Sequence, residues 1–136
     1  MYHFIIMLFT LFSLLAATIA APIPNEDASG VLEKRITHSG RATWFQPGLG
    51  NCGHTDNEND PVVAMSLSFY DNNGGSNCDQ WLTITNTANG KTAKGWVRDS
   101  CPGCGYYDLD LSPAVFKQLG SLDTGVLPIQ WHFEAK

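Results

Sequence analysis

The chain has 136 residues, 43% of them hydrophobic and 15% charged, and its 13 acidic side chains outweigh its 8 basic ones for a formal net charge of −5. That balance provides no basic field to gather phosphates and argues against nucleic acid as a partner. There is no internal repeat, no Walker or dinucleotide-binding glycine pattern and no Asn-x-Ser/Thr acceptor, so the chemistry must rest on dispersed polar side chains.

In chain order, residues 1–20, "MYHFIIMLFTLFSLLAATIA", form an apolar run from Phe4 that closes on small residues, with Thr18 and Ala20 placed for signal peptidase. This is the pattern of a secretory signal, although the missing basic n-region keeps an uncleaved anchor as the alternative. Residues 21–35, "APIPNEDASGVLEKR", are polar, aperiodic and end in Lys34-Arg35. They are expected to be a propeptide cut after the dibasic pair, with a plain linker as the alternative. The mature domain is then residues 36–136, enough for one core, extracellular and away from the membrane after processing.

Five strand signals follow, at residues 41–45 ("RATWF"), 61–65 ("PVVAM"), 81–85 ("WLTIT"), 91–99 ("KTAKGWVRD") and 126–133 ("VLPIQWHF"). In the third, Leu82 and Ile84 share one face and Trp81, Thr83 and Thr85 the other. In the last, Leu127, Ile129, Trp131 and Phe133 alternate with Pro128, Gln130 and His132. "ANGK", 88–91, reads as an Asn-Gly hairpin turn between two strands. The one clear helix is "SPAVFKQLG", with Ser112 as its cap, Pro113 in the first helical position, an apolar stripe of Val115, Phe116 and Leu119, and Gly120 at its end. Short strands, one helix and Asn/Gly/Asp loops point to a small β-barrel.

All four cysteines, Cys52, Cys78, Cys101 and Cys104, fall in the mature part, which suggests two disulfides with three connectivities open. A zinc site would need two close-spaced knuckles, and Cys52 and Cys78 lie far apart, so no metal is expected. "CPGC" has redox-motif spacing but lacks the preceding apolar strand and the helix directly after it.

The segments "GRATWFQPGLGNCG", "DPVVAMS", "NGKTAKGWVRDSCPGCG" and "LDLSPAVFKQLGSLDTGVLPIQWHF" resemble, in that order, the secreted double-psi β-barrels: the lipoprotein-A-like domain, barwin, the first domain of expansins and the fungal loosenins. The match spans nearly the whole mature chain and is most similar to the single-domain fungal expansin-like or loosenin-like group. It implies a mainly β fold, a six-stranded double-psi barrel with one or two short helices. It also implies that Cys52 pairs with Cys78 and Cys101 with Cys104. Asp110, in "LDLSP", matches the general acid of family 45 glycoside hydrolases, and Asp99, closing the preceding strand, matches a residue lining the same groove. Thr43 matches a small hydroxyl position beside that groove.

An acid role suits a carboxyl desolvated beside another carboxylate. Inverting hydrolysis also needs a base roughly 6.5 to 9.5 Å from the acid. In the hydrolases that base is a first-strand aspartate, whereas "RATWFQ" has no carboxylate. Asp56, Glu58 and Asp60 read as a solvated loop. Trp44, Tyr70, Tyr106 and Tyr107 are candidate sugar-stacking residues, with Trp44 alternatively in the core. Asp99 and Asp110 have alternative roles in bonding backbone amides and serving the turn before Ser112. His54 and His132 read as surface residues. The leading expectation is a monomeric, non-hydrolytic protein that binds and loosens cellulose, chitin or a related wall polysaccharide without a cofactor. The competing one is a protein-binding module, a cysteine-protease inhibitor or effector of a secreted or host protein, using loops 54–60 and 71–77.

Overall fold

The computed structural model describes residue 20 and residues 36–136. The expected signal sequence, 1–20, and propeptide, 21–35, lie outside the described residues except for Ala20. The elements are β1 (His38–Trp44), β2 (Val62–Ser66), α1 (Leu67–Asn72), β3 (Trp81–Asn86), β4 (Thr92–Cys101), β5 (Leu109–Leu111), α2 (Pro113–Leu119), a 3₁₀ turn (Leu122–Thr124) and β6 (Leu127–Phe133). β5 and α1 carry no periodic signal, because three and six residues are too few to establish one.

The six strands close in the order β1-β5-β2-β4-β3-β6. Two parallel pairs, β1–β5 and β2–β4, meet at the antiparallel β2–β5 seam, and β3 and β6 close the wall by antiparallel pairing. This is the double-psi barrel. Period two holds where it was expected: Leu127, Ile129, Trp131 and Phe133 of β6 are buried, as are Leu82 and Ile84 of β3. The hairpin turn also forms, with Gly90 in the left-handed region at φ 75° and Asn86 N–H donating to Lys91 O.

α2 packs on β4, β1 and β5, burying Val115, Phe116 and Leu119 completely. Burying three such side chains contributes roughly 1.5 to 3 kcal/mol each. Ser112 occupies the cap position, but its side chain makes no capping bond. Its Oγ instead donates to Asp60 O (2.6 Å) and accepts from Val62 N (3.1 Å), fastening the start of β2 to the start of α2. Among the described residues, no helix is long and apolar enough to cross a membrane.

Candidate functional site

Strand pairing sets a row of side chains across the outside of the barrel. Ala42, Leu109, Leu111, Val63 and Met65 are buried in the core, so the alternate residues Thr43 and Asp110 take the outer face, and strand alternation sets Ala64, itself buried, in the same row. Thr43 opposes Asp110 and Asp110 opposes Ala64 in the ladder. Asp99 joins this row through a bulge. Val63 opposes Val97 while Ala64 opposes Asp99, which leaves Arg98 as an extra residue in β4. Strict alternation from buried Val97 would turn Asp99 inward; the extra residue returns it to the outer face. Asp110 and Asp99 thus flank Ala64, two strand spacings or about 9.6 Å apart along the wall.

The two carboxylates are held differently. Asp110 Oδ1 accepts from Thr43 Oγ1 at 2.8 Å. Burial raises its pKa above the ordinary carboxylate range; the bonds from Thr43 and from the Leu111 backbone N–H oppose this, and the Asp99 charge adds to it. Asp99 Oδ1 accepts from Ser100 N (2.8 Å) and from Asn51 N (2.9 Å), bonds that fix the strand end and a crossing loop. That loop lies tight on β4: Cys52 N donates to Arg98 O, and a Cβ on Gly50 would come within 2.2 Å of the same oxygen. Only glycine fits such an approach without displacing backbone.

Cys52 is bridged to Cys78 and Cys101 to Cys104. The second bridge closes the loop beside Thr43, where a hollow of about 110 Å³ is lined by Arg41, Thr43, Gly103, Cys104, Asp108 and Val126. Asp108 braces this loop, accepting from Arg41 N and Gly105 N.

The aromatic candidates separate. Tyr70 is half-buried at the Asp99 end of the row, its hydroxyl 3.4 Å from Asn51 O and 3.8 Å from Cys78 Sγ. Trp44 alternates away from Thr43, packs against the core and donates from Nε1 to Leu122 O (3.0 Å). Tyr106 and Tyr107 belong to a ring cluster with Phe69, His38 and Trp131 at the end of the barrel where β2 runs into α1. There Tyr107 stacks on His38 at 4.8 Å and Tyr106 Oη accepts from Asn72 Nδ2, while both tyrosines stay about 40% exposed. Burial lowers the pKa of His38. Among the described residues no group of three His, Cys, Asp or Glu side chains is placed to hold a metal ion.

Sequence reasoning missed the bulge residue Arg98, the floor residue Ala64 and an aromatic pair, Trp81 and Trp96. For the pair a signal was present: Trp81 shares the polar face of its strand with Thr83 and Thr85. His54 and Asp56, read as plain surface, join a network in which His54 Nε2 lies 3.4 Å from Asp79 and Asp56 3.4 Å from Arg98 Nε. His132 Nε2 lies 3.7 Å from Glu134 Oε1.

A closed six-stranded barrel with a row of paired polar residues along its wall defines the class of protein. No family model matches the chain. Among curated proteins, it is 30% identical over 127 residues to the papain inhibitor of Streptomyces mobaraensis, covering 89% of this chain and 88% of that protein. It is 27% identical to expansin-like protein 1 of Dictyostelium discoideum, over 88% of this chain but 44% of that protein. Among solved structures, a Streptomyces papain inhibitor superposes with a TM-score of 0.64 at 30% identity, covering 74% of this chain and 96% of that one. A Clavibacter michiganensis expansin mutant in complex with cellohexaose gives 0.63 at 31% identity, covering 72% of this chain and 50% of that one. The chain belongs to the double-psi β-barrel family that includes the papain inhibitor and the expansins.

Proposed function

We propose that this is a secreted, expansin-like or loosenin-like protein that holds a wall polysaccharide in the Thr43–Asp110–Ala64–Asp99 groove and loosens it without hydrolysis. The observation that carries this reading is Asp110 itself, half-buried on the outer wall with its pKa raised by burial and Thr43 bonded to it at 2.8 Å. A carboxyl that keeps its proton donates to a glycosidic or hydroxyl oxygen as well as accepting. Hydrolysis requires more, a second carboxylate across the groove to activate water. At the first-strand position there is a threonine, and Asp99 Oδ1 already serves two backbone N–H groups. Hydrogen bonding to one strand of a polymer, in competition with its neighbours, is the action such a groove supports. The solved relative with cellohexaose supports a glucan as ligand, and the two disulfides support an oxidising, extracellular setting.

The reading is tested by sedimenting the protein with insoluble cellulose and chitin, assaying reducing sugar in the same tubes, and running Asp110→Asn alongside. Binding without sugar release, weakened in the variant, is the expected outcome; no binding to either polymer overturns it.

A second reading has its own support. The chain matches 88% of the length of a curated papain inhibitor, whereas it matches under half of the expansin-like relative. In that case the loops at 54–60 and 71–77 contact a cysteine protease. Inhibition of papain that survives Asp110→Asn would favour this reading over the groove.

A further inference from the structure

On the wall next to the groove, hairpin register sets Trp81 of β3 opposite Trp96 of β4. Their rings lie 4.9 Å apart, tilted by 36°, and the Arg98 guanidinium sits 4.0 Å above the Trp96 ring. This stack holds the ring of Trp81 in place, yet Trp81 remains 39% exposed. Hollows of about 360 and 370 Å³ border it, one against Asp79, Gln80 and Lys136, the other against Lys94 and Glu134. Each is many times the roughly 30 Å³ share of one water molecule.

The charges around this ring are interleaved. Arg98 Nη1 pairs with Asp79 at 2.6 Å and Arg98 Nε with Asp56 at 3.4 Å, while Lys94 pairs with Glu134 at 3.7 Å. Lys136 Nζ donates to Ser76 O at 2.5 Å. Arg98, Lys94 and Lys136 thus stand among Asp56, Asp79 and Glu134, with His54 beside Asp79 and His132 beside Glu134, so charges of both signs are interleaved and no field of one sign selects an ionic ligand. What stands ready is a flat indole face rimmed by hydrogen-bonding groups.

We propose that Trp81 is a second saccharide contact, stacking one neutral pyranose ring outside the Thr43–Asp110 groove. The inference rests on the polysaccharide reading and extends it. An indole face packs on the C–H face of a pyranose, and the sugar's equatorial hydroxyls reach the polar rim. A protein interface is built otherwise, around a broad apolar centre of several fully buried anchors. Here a single part-exposed indole stands between two open hollows with hydrogen-bonding groups at their edges. Two contacts on one polymer strand also gain from effective concentration, so a small barrel holds a glycan that neither contact retains alone.

The test is an NMR titration of the secreted protein with cellohexaose and with chitohexaose, following the indole N–H signals of all four tryptophans and the methyl of Thr43. Polygalacturonate and inactivated papain are titrated in parallel. The Trp81 signal is expected to move with a neutral hexasaccharide while that of buried Trp131 stays still. Trp81→Ala is expected to weaken binding about tenfold, and Trp81→Phe to retain most of it. Unchanged thermal melting of Trp81→Ala separates lost contact from lost fold, and binding retained by Trp81→Phe shows that an aromatic face is what is needed. If Thr43 moves and Trp81 does not, the second contact is overturned and the groove reading stands. If no saccharide moves either signal, both fail. Movement of Trp81 with papain alone overturns the saccharide assignment.

Discussion

Two neighbouring stretches of the barrel wall treat their polar side chains in opposite ways. In the groove, Asp110 is held by a hydroxyl and a backbone N–H and Asp99 by two backbone N–H groups, with no cation among these partners. Further back along β4, Arg98 and Lys94 are each set against carboxylates, and Trp96, stacked on Trp81 of β3, lies beneath Arg98. The groove carries a carboxyl whose pKa burial raises. The Trp81 face stands among interleaved charges of both signs and offers shape. The difference lies in whether the wall supplies a counter-charge, and both stretches depend on the loop crossing β4 at residues 50–56.

The strongest way to break the comparison is to release that loop. Replacing Cys52 and Cys78 by Ala opens a loop of 26 residues and is expected to cost about 3.5 kcal/mol of stability in denaturant unfolding, with both stretches loosened. Replacing Cys101 and Cys104 opens a separation of only 3 residues and is expected to cost about 1.5 to 2 kcal/mol, confined to the groove side. Next comes Arg98→Met, which leaves Asp56 and Asp79 without their cation. A loss of about 2 kcal/mol is expected, with the titration of Asp110 little changed.

Thr43→Val sharpens the contrast from the other side. Removing the donor to Asp110 is expected to cost about 1 kcal/mol and to push the Asp110 pKa further up, since that bond lowers it. The smallest effect is a pH dependence. Between the ordinary carboxylate pKa and the raised folded value, the folded protein binds the Asp110 proton more tightly than the unfolded chain does. Stability from this group is therefore full below the ordinary value and falls as pH rises through that window. Asp110→Asn is expected to remove that fall, melting higher than the unmodified protein at neutral pH and converging with it in acid.

Much of the barrel was legible because its strands obey simple periodicity: "WLTIT" and "VLPIQWHF" announce their buried faces, and Asn89-Gly90 announces the turn that sets one register. β5 was not legible as a strand, since Leu109–Leu111 gains its identity only from pairing with β1 and β2. The groove was half legible. The motif named Asp110, Asp99 and Thr43, but no local pattern announces the bulge at Arg98 that turns Asp99 outward, or Ala64 between the two carboxylates. Trp44 shows the limit of residue type as a guide: of its two expected roles it takes the packed one, against the core and the 3₁₀ turn, while Tyr106 and Tyr107 pack on Phe69 and His38 and still expose about 40% of their surface. Ser112 shows the same limit, having the right residue type for a cap while its hydroxyl bridges two other segments.

The central proposal is that Asp110, its pKa raised by burial, contacts glycan without cleaving it. It is tested most directly by following the Asp110 side-chain carboxyl ¹³C signal against pH, with and without cellohexaose, and counting reducing ends in the same samples. The account predicts a midpoint above the ordinary carboxylate range that moves when cellohexaose is present, with no new reducing ends. An ordinary midpoint indifferent to cellohexaose, or reducing ends that accumulate with time, would contradict it.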